Sequence, residues 1–543
     1  MEEFLEAIRN PFYLFYITLL MSLCIASSAS QVGEAVEIEF KAHRMQQYEI
    51  NGNLYGSKST KIQYEAVHLD SGALRKCVVI SWRDAATRDL TELLGVSIGG
   101  FLILIPEDLD SLSPEDHKLF VDMEQKLSLI KTDVAVYVTT SSEQALGVLQ
   151  DVMGSGSKST TATQQLVQSI SGNTFQFTTT GNPSTNPITT PGTNIIGQLR
   201  SSEAGAPTIA FVAHYDSHAV FPGAGVGSDS NGSGIVALLE LLAVFNKFYE
   251  NASTRPPYNL IFAWTAAGKY NFQGSRSLID GFISNLSANE KLQLAICLEA
   301  VGGPGPLHMH ASKQPSDGAV AAQLLKRLRA VTPVQDVKLV TKKINLNAPH
   351  LSWEHERFNI KRMPAVTLSR LSNPDDFSRR SLLDNPSEIS IDTLESNIRR
   401  IAEAVLGLII ATPEAGAADS RVKVDTSILA KDSIDKQRIA HFVRLFASRP
   451  RPFTDSEITK SVAANILSAA QAYSTANTQE VAIQDVQVWG GVTDRVLAEK
   501  VKPAIFELFV AGSIIVYLAV FYQIVSLSQR TIEGTVASLK KRV

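Results

Sequence analysis

The chain has 543 residues, 44% of them hydrophobic and 19% charged, which is enough to bury large cores in more than one domain. A formal net charge of -4 gives no electrostatic basis for a nucleic-acid partner, and the one terminal bias is the basic end Lys540, Lys541 and Arg542. Membrane contact therefore has to be read from apolar runs.

In chain order, residues 11–26 (PFYLFYITLLMSLCIA) followed by SSAS have the length and exit of a signal peptide over 1–30. Glu2, Glu3 and Glu6 outnumber Arg9 ahead of it, which keeps an uncleaved signal anchor open. Over 34–150, the β-rich runs KCVVISW, VSIGGFLILIP and DVAVYVTT alternate with helix-capable segments such as SPEDHKLFVDMEQKL, predicting a small α/β domain. Residues 151–193 shift to Ser, Thr, Gly, Asn and Pro and read as a connector.

Over 194–412 the pattern becomes strand, loop and helix in repetition. NIIGQL, TIAFVAHYD, NLIFAW, LQLAICLEAVG and PAVTLSR read as strands of one mixed or parallel sheet, with helices at GIVALLELLAVFNKFY, SRSLIDGFIS, GAVAAQLLKRLRAV and SIDTLESNIRRIAEAVLGLII. Residues 413–502 carry helical periodicity in KQRIAHFVRLFAS, ITKSVAANILSAAQAY and VTDRVLAEK, predicting a helical stalk. Residues 503–527 are long and apolar enough to span a bilayer core, leaving 528–543 as a tail. Basic residues beyond the run place that tail in the cytosol and the bulk of the chain in the lumen, a single-pass type I arrangement.

Cys77 and Cys297 lie in apolar strand-like runs and read as buried free thiols, with no structural disulfide expected. The sequons at Asn251 and Asn285 flank helices and are candidate glycosylation sites, whereas Asn231 sits in a tight turn and reads as hindered. His308 and His310 alternate as strand residues do and read as packed or solvated side chains rather than ligands.

The chemistry-bearing stretch is 208–234, where a buried strand ends in a loop carrying His214 and Asp216 and a glycine-rich turn opens a helix. A second loop, 264–275, follows the strand NLIFAW in the same way, and such loops meet at the carboxyl edge of an α/β sheet. In order and spacing, NIIGQL, TIAFVAHYDSH, GSDSNGSG, FQGS, LEAVG, HERFNIKRMPAVTL and LLDNPSEIS resemble the M28-type zinc aminopeptidase family. With KAHRMQQYEINGNLYG, SWEHERF and the terminal span included, the chain more closely resembles the nicalin family, relatives of nicastrin.

The M28 resemblance implies two zinc ions about 3.5–4 Å apart, held by carboxylates and imidazoles, with a further Glu as base. It places the first imidazole on His214, an orienting carboxylate on Asp216 and a terminal carboxylate on Glu299. It places the bridging carboxylate on Ser230, the Glu-Glu pair on Gly268 and Lys269, and the last imidazole on Arg380. On that alignment most ligands and the base are lost, no cofactor or metal is expected, and Lys269 should pair with Glu299 or Asp216. His214 and Asp216 then read as a satisfied relic, and His355 lies near the rim.

The nicalin resemblance implies residence in the endoplasmic reticulum membrane as a non-catalytic scaffold. Its implied partners are the Nodal modulator and a small multispanning membrane protein beside the translocon, assisting biogenesis of multipass membrane proteins. A nicastrin-like substrate gate and an active zinc aminopeptidase are the alternatives. Lys540 and Lys541, third and fourth from the carboxyl end, resemble a dilysine retrieval signal.

Overall fold

The computed structural model describes residues 37–69, 74–95, 97–155, 174–181, 186–187, 191–331, 337–410, 428–501 and 504–540. The signal at 1–30 and Lys541 lie outside these residues.

Eight strands form a mixed sheet whose central members are Thr208–His214, Asn259–Thr265, Leu292–Leu298 and Ala365–Ser369, paired in parallel. These strands are buried on both faces and are almost wholly apolar, as parallel strands covered by helices must be. Gly192–Leu199 adds antiparallel to Asn259–Thr265, and His308–Ala311 adds antiparallel to Ala365–Ser369. The helix Ser233–Tyr249 is buried along most of its length, so its apolar run belongs to the core. Its one buried acid, Glu240, is gripped by Arg438 at 2.6 and 2.7 Å, which docks the helix Lys436–Phe446 onto it.

The second unit is a closed barrel of seven strands. Glu37–Arg44, Gln63–His68, Cys77–Ser81, Gly100–Ile105 and Val136–Thr140 come from the region read as a small α/β domain. The helix Pro114–Ser128 begins as its sequence indicates, with Ser113 as N-cap and Pro114 in the first turn. The barrel is not complete in that region, however. Thr174–Thr179, from the stretch read as connector, and Thr493–Val501, from the far end of the chain, supply its last two strands.

The helical stalk over 413–502 is corrected accordingly. The helices Lys436–Phe446 and Ser456–Gln471 are present, but Thr475–Val481 pairs with Gly192–Leu199 at the edge of the sheet. Val486–Trp489 pairs with Gln47–Ile50, and Thr493–Val501 lies between two barrel strands. VTDRVLAEK is a strand because the barrel offers it an edge on either side, burying Val496 and Ala498 on one face. The same segment ties the two units together. Arg451 donates to the carbonyls of Tyr215 at 3.0 Å and Gly227 at 3.0 Å, fixing both ends of the loop after Thr208–His214.

Beyond this body, Ala504–Lys540 is one helix of 37 residues, about 55 Å long at 1.5 Å per residue. Within Val510–Leu539 an 18-residue window has a mean hydropathy of 2.0, and only 6% of that window is buried, as expected of a helix whose solvent is lipid. The helix continues past 527, so the described part of the tail is helical. Cys77 and Cys297 are buried free thiols in different units.

Candidate functional site

The carboxyl ends of the parallel strands bring His214, Thr265, Glu299 and Arg370 to one edge, at or just beyond the last strand residue. The loops there adopt backbone that side chains rarely take. Ala267, Asn271, Phe272 and Ala300 all have positive φ, between 50° and 64°. Gly268 lies against the His214 ring: a Cβ on it would meet His214 Cβ at 2.2 Å and Cγ at 2.3 Å.

Glu299 is the centre of charge. Arg379 grips it with two parallel bonds, Nε to Oε1 at 2.7 Å and Nη2 to Oε2 at 3.0 Å. Lys269 Nζ approaches the same carboxylate at 3.4 Å and donates to the Arg379 carbonyl at 3.1 Å. Burial pushes the Glu299 carboxyl up, but Arg379 and Lys269 more than offset it and hold it down at about 2. Of its two candidate acids, Glu299 and Asp216, Lys269 pairs with Glu299. Arg379, not Arg380, is the main cation. The 3-10 turn Phe377–Arg380 advances about 120° per residue, so the neighbouring arginines point apart.

Asp216 does not orient His214. Its carboxylate accepts the backbone N–H of Gly268 at 2.7 Å and of Lys269 at 3.1 Å, pinning that loop. Burial pushes its carboxyl up, and His214 and these amides act against that. The carboxylate facing His214 is Glu354, whose Oε2 lies 3.5 Å from Nδ1. Glu354 is held by Thr265 Oγ1 at 2.8 Å and by Ser275 Oγ, and His214 Nε2 is buried without a hydrogen-bond partner among the described residues. The neighbouring His355 turns away to Thr367 Oγ1 at 2.9 Å.

In the glycine-rich turn, Ser228–Gly232 forms a single π-helical turn before the helix Ser233–Tyr249. Asp229 points away from the position of Ser230: its carboxylate accepts from Gly302 N at 2.7 Å and Gly303 N at 2.9 Å and pairs with Arg370. Asp384 accepts the backbone N–H of Asp229 at 2.7 Å and of Ser230 at 2.9 Å. Among the described residues, no group of three or more His, Cys, Asp or Glu side chains is placed to hold a metal ion. His308 and His310 are packed, bonded to the carbonyls of Arg370 at 3.1 Å and Leu371 at 2.8 Å.

Glu354, Arg370 and Arg379 are the residues the sequence reading missed. The local signals are the charge runs SWEHERF and FSRRS for Glu354 and Arg379, whereas Arg370 only ends the strand segment PAVTLSR. Of the sequons, Asn251 and Asn285 are exposed, and Asn231 is fully buried.

Residues 194–405 match the model described as Peptidase family M28. Along its whole length the chain is 48% identical to nicalin of Caenorhabditis elegans, with 100% of each chain covered. The chain belongs to the nicalin family. It is 31% identical to the BOS complex subunit ncln of Danio rerio over 89% of each chain, and 29% identical to the BOS complex subunit NCLN of Homo sapiens over 92% of each. Among solved structures, the gamma-secretase component nicastrin aligns with a TM-score of 0.56, covering 85% of this chain and 99% of that one at 11% identity. That likeness concerns the fold. The nicalin-family match takes in barrel, sheet and terminal helix together, whereas the M28 match ends at residue 405.

Proposed function

We propose that the chain is a non-catalytic scaffold subunit of an endoplasmic reticulum membrane complex that assists biogenesis of multipass membrane proteins. The observation that carries the non-catalytic part is the clamp on Glu299, where Arg379 and Lys269 supply the positive charge that metals supply in the peptidases. A zinc pair does not fit this donor set. Glu299 is already neutralised, Asp216 and Asp229 are engaged by backbone amides, and Ser230 offers a neutral hydroxyl. Gly268 leaves no room for the side chain of a general base against the His214 ring.

The complex membership is supported by the relatives named BOS complex subunits and by the exposed apolar helix Val510–Leu539. By family resemblance its partners are the Nodal modulator and a small multispanning membrane protein beside the translocon. The terminal helix anchors the chain and offers a surface for assembly, with Gly512 open to close approach by another helix. In the luminal orientation, Asn251 and Asn285 carry the glycans and Lys540 with Lys541 form the retrieval signal. The test is photo-crosslinking from Ile515 in native membranes, followed by recovery in mild detergent. Crosslinks to a translocon-associated multispanning protein, weakened by Gly512→Ile, are expected; crosslinks to lipid alone would remove the assembly role from the helix.

A further inference from the structure

A cavity of about 190 Å³ opens where the barrel unit meets the sheet, above the clamped Glu299. Tyr48 and Tyr55, stacked at 5.2 Å between ring centroids, form one wall, and Phe272 also lines the space. The charged lining is one-sided: Lys269, Arg379 and Arg380 all reach it. Glu299 is shared by the first two, and Asp216 beneath them is engaged by backbone amides.

Arg380 is therefore left over. It makes no hydrogen bond and no ion pair with any described residue, although it is partly buried beside the like charge of Arg379. Burial and Arg379 pull its pKa down by more than Tyr48, Asp375 and Tyr55 push it up, so the guanidinium is left short of the counter-charge that withdrawal from water requires. His218, also on the lining, is no substitute for an anion. Burial, with Arg380 and Lys269 nearby, holds its imidazole neutral with a pKa of about 3, and its buried Nδ1 has no hydrogen-bond partner among the described residues. A partly desolvated surplus cation and aromatic walls thus face one space.

We propose that this cavity binds a carboxylate presented by a polypeptide, with Arg380 as the recognition cation and the stacked Tyr48 and Tyr55 as the wall for the adjoining residue. A guanidinium pairs with a planar carboxylate through two parallel bonds, and among the described residues none of that capacity of Arg380 is used. The volume lies below the range of drug-sized ligand pockets and suits one side chain or one chain end. At the rim Leu129 is 81% exposed, an apolar shelf against which an entering segment can lie. The assignment stands on the cavity and goes beyond the membership of a complex proposed above, which can hold or fail independently.

The test uses purified full-length protein in mild detergent and three short acetylated peptides. One is apolar with a free carboxyl terminus, one is the same peptide amidated, and one is amidated but carries a single Glu side chain. Saturable binding is expected from at least one carboxylate-bearing peptide and at least tenfold weaker binding from the amidated neutral one. The first and third peptides distinguish a chain end from an acidic side chain. Arg380→Gln should weaken that binding at least tenfold, and Arg380→Lys should retain part of it. Leu129→Glu, at an exposed position that cannot disturb the core, should weaken it as well by placing a like charge at the rim. Equal binding of the neutral amide, affinity unchanged in both Arg380→Gln and Leu129→Glu, or binding of inorganic phosphate but of no peptide would overturn the assignment.

Discussion

Replacing Arg379 by Met tests the charge clamp, because Met keeps much of the volume over Trp353 while deleting the guanidinium, which lies 4.4 Å from that ring. Arg379 makes two bonds to Glu299 and two to the carbonyls of Ser352 and Pro374, at 3.0 and 2.5 Å. Holding Glu299 at about 2, against the usual 4.5, corresponds to about 3 kcal/mol at roughly 1.4 kcal/mol per pKa unit. The sign follows from a depressed carboxylate: this stability is present above pH 4.5 and is lost as pH falls through about 2. Removing one member of a buried pair costs about 3–5 kcal/mol, and Lys269 at 3.4 Å retains part of the compensation, so Arg379→Met should cost about 3 kcal/mol at neutral pH. Urea denaturation followed by tryptophan fluorescence measures it, with Trp353 as the local reporter. The double change Glu299→Gln with Arg379→Met should cost clearly less than the sum of the single changes, by about 2 kcal/mol. Additivity within about 0.5 kcal/mol would show that the two groups do not act as a pair and would refute the clamp.

Glu124, on the barrel helix Pro114–Ser128, is buried against Ser381 and the Leu382 amide, and burial raises its carboxyl to about 8 despite those donors. Its contribution is complete below pH 4.5 and is lost as pH rises through about 8, so the native urea midpoint should fall between about pH 4.5 and 8 and level off above, and Glu124→Gln should flatten that fall. Gly268→Ala places a Cβ 2.2 Å from that of His214 and should lower stability by about 1–3 kcal/mol in the same denaturation assay. Changing Lys540 and Lys541 to Ser leaves Arg530 and Arg542 to orient the helix; glycans on Asn251 or Asn285 should then become resistant to endoglycosidase H. Glycans that stay sensitive would assign residence to partner binding instead.

The sheet was legible because its strands are continuous apolar runs bounded by polar loops, as in TIAFVAHYD and LQLAICL, and burial on both faces forces that pattern. The barrel was only half legible. Thr174–Thr179 and Thr493–Val501 carry too little local hydrophobic signal to declare themselves, and they become strands through pairing with segments hundreds of residues away. Within the site, Lys269 is legible by counting from Gly274 and Ser275, and its partner Glu299 is one of the two acids, with Asp216, that the sequence offers it. Arg379 and Glu354 are not legible, because adjacent side chains on a 3-10 turn or at a helix start diverge in direction, and spacing alone does not say which one turns inward. Asp216 was given the wrong role for a related reason: its distance from His214 in sequence is short, yet its carboxylate is engaged by the loop after the neighbouring strand.

The measurement that bears most directly on the central claim is the zinc content of the full-length protein, purified from native membranes without chelator and analysed for metal per chain. With Arg379 and Lys269 occupying the carboxylate at Glu299, zinc should remain far below one ion per chain even after incubation with excess metal. Two zinc ions retained per chain through gel filtration would contradict a site whose charge is supplied by its own cations.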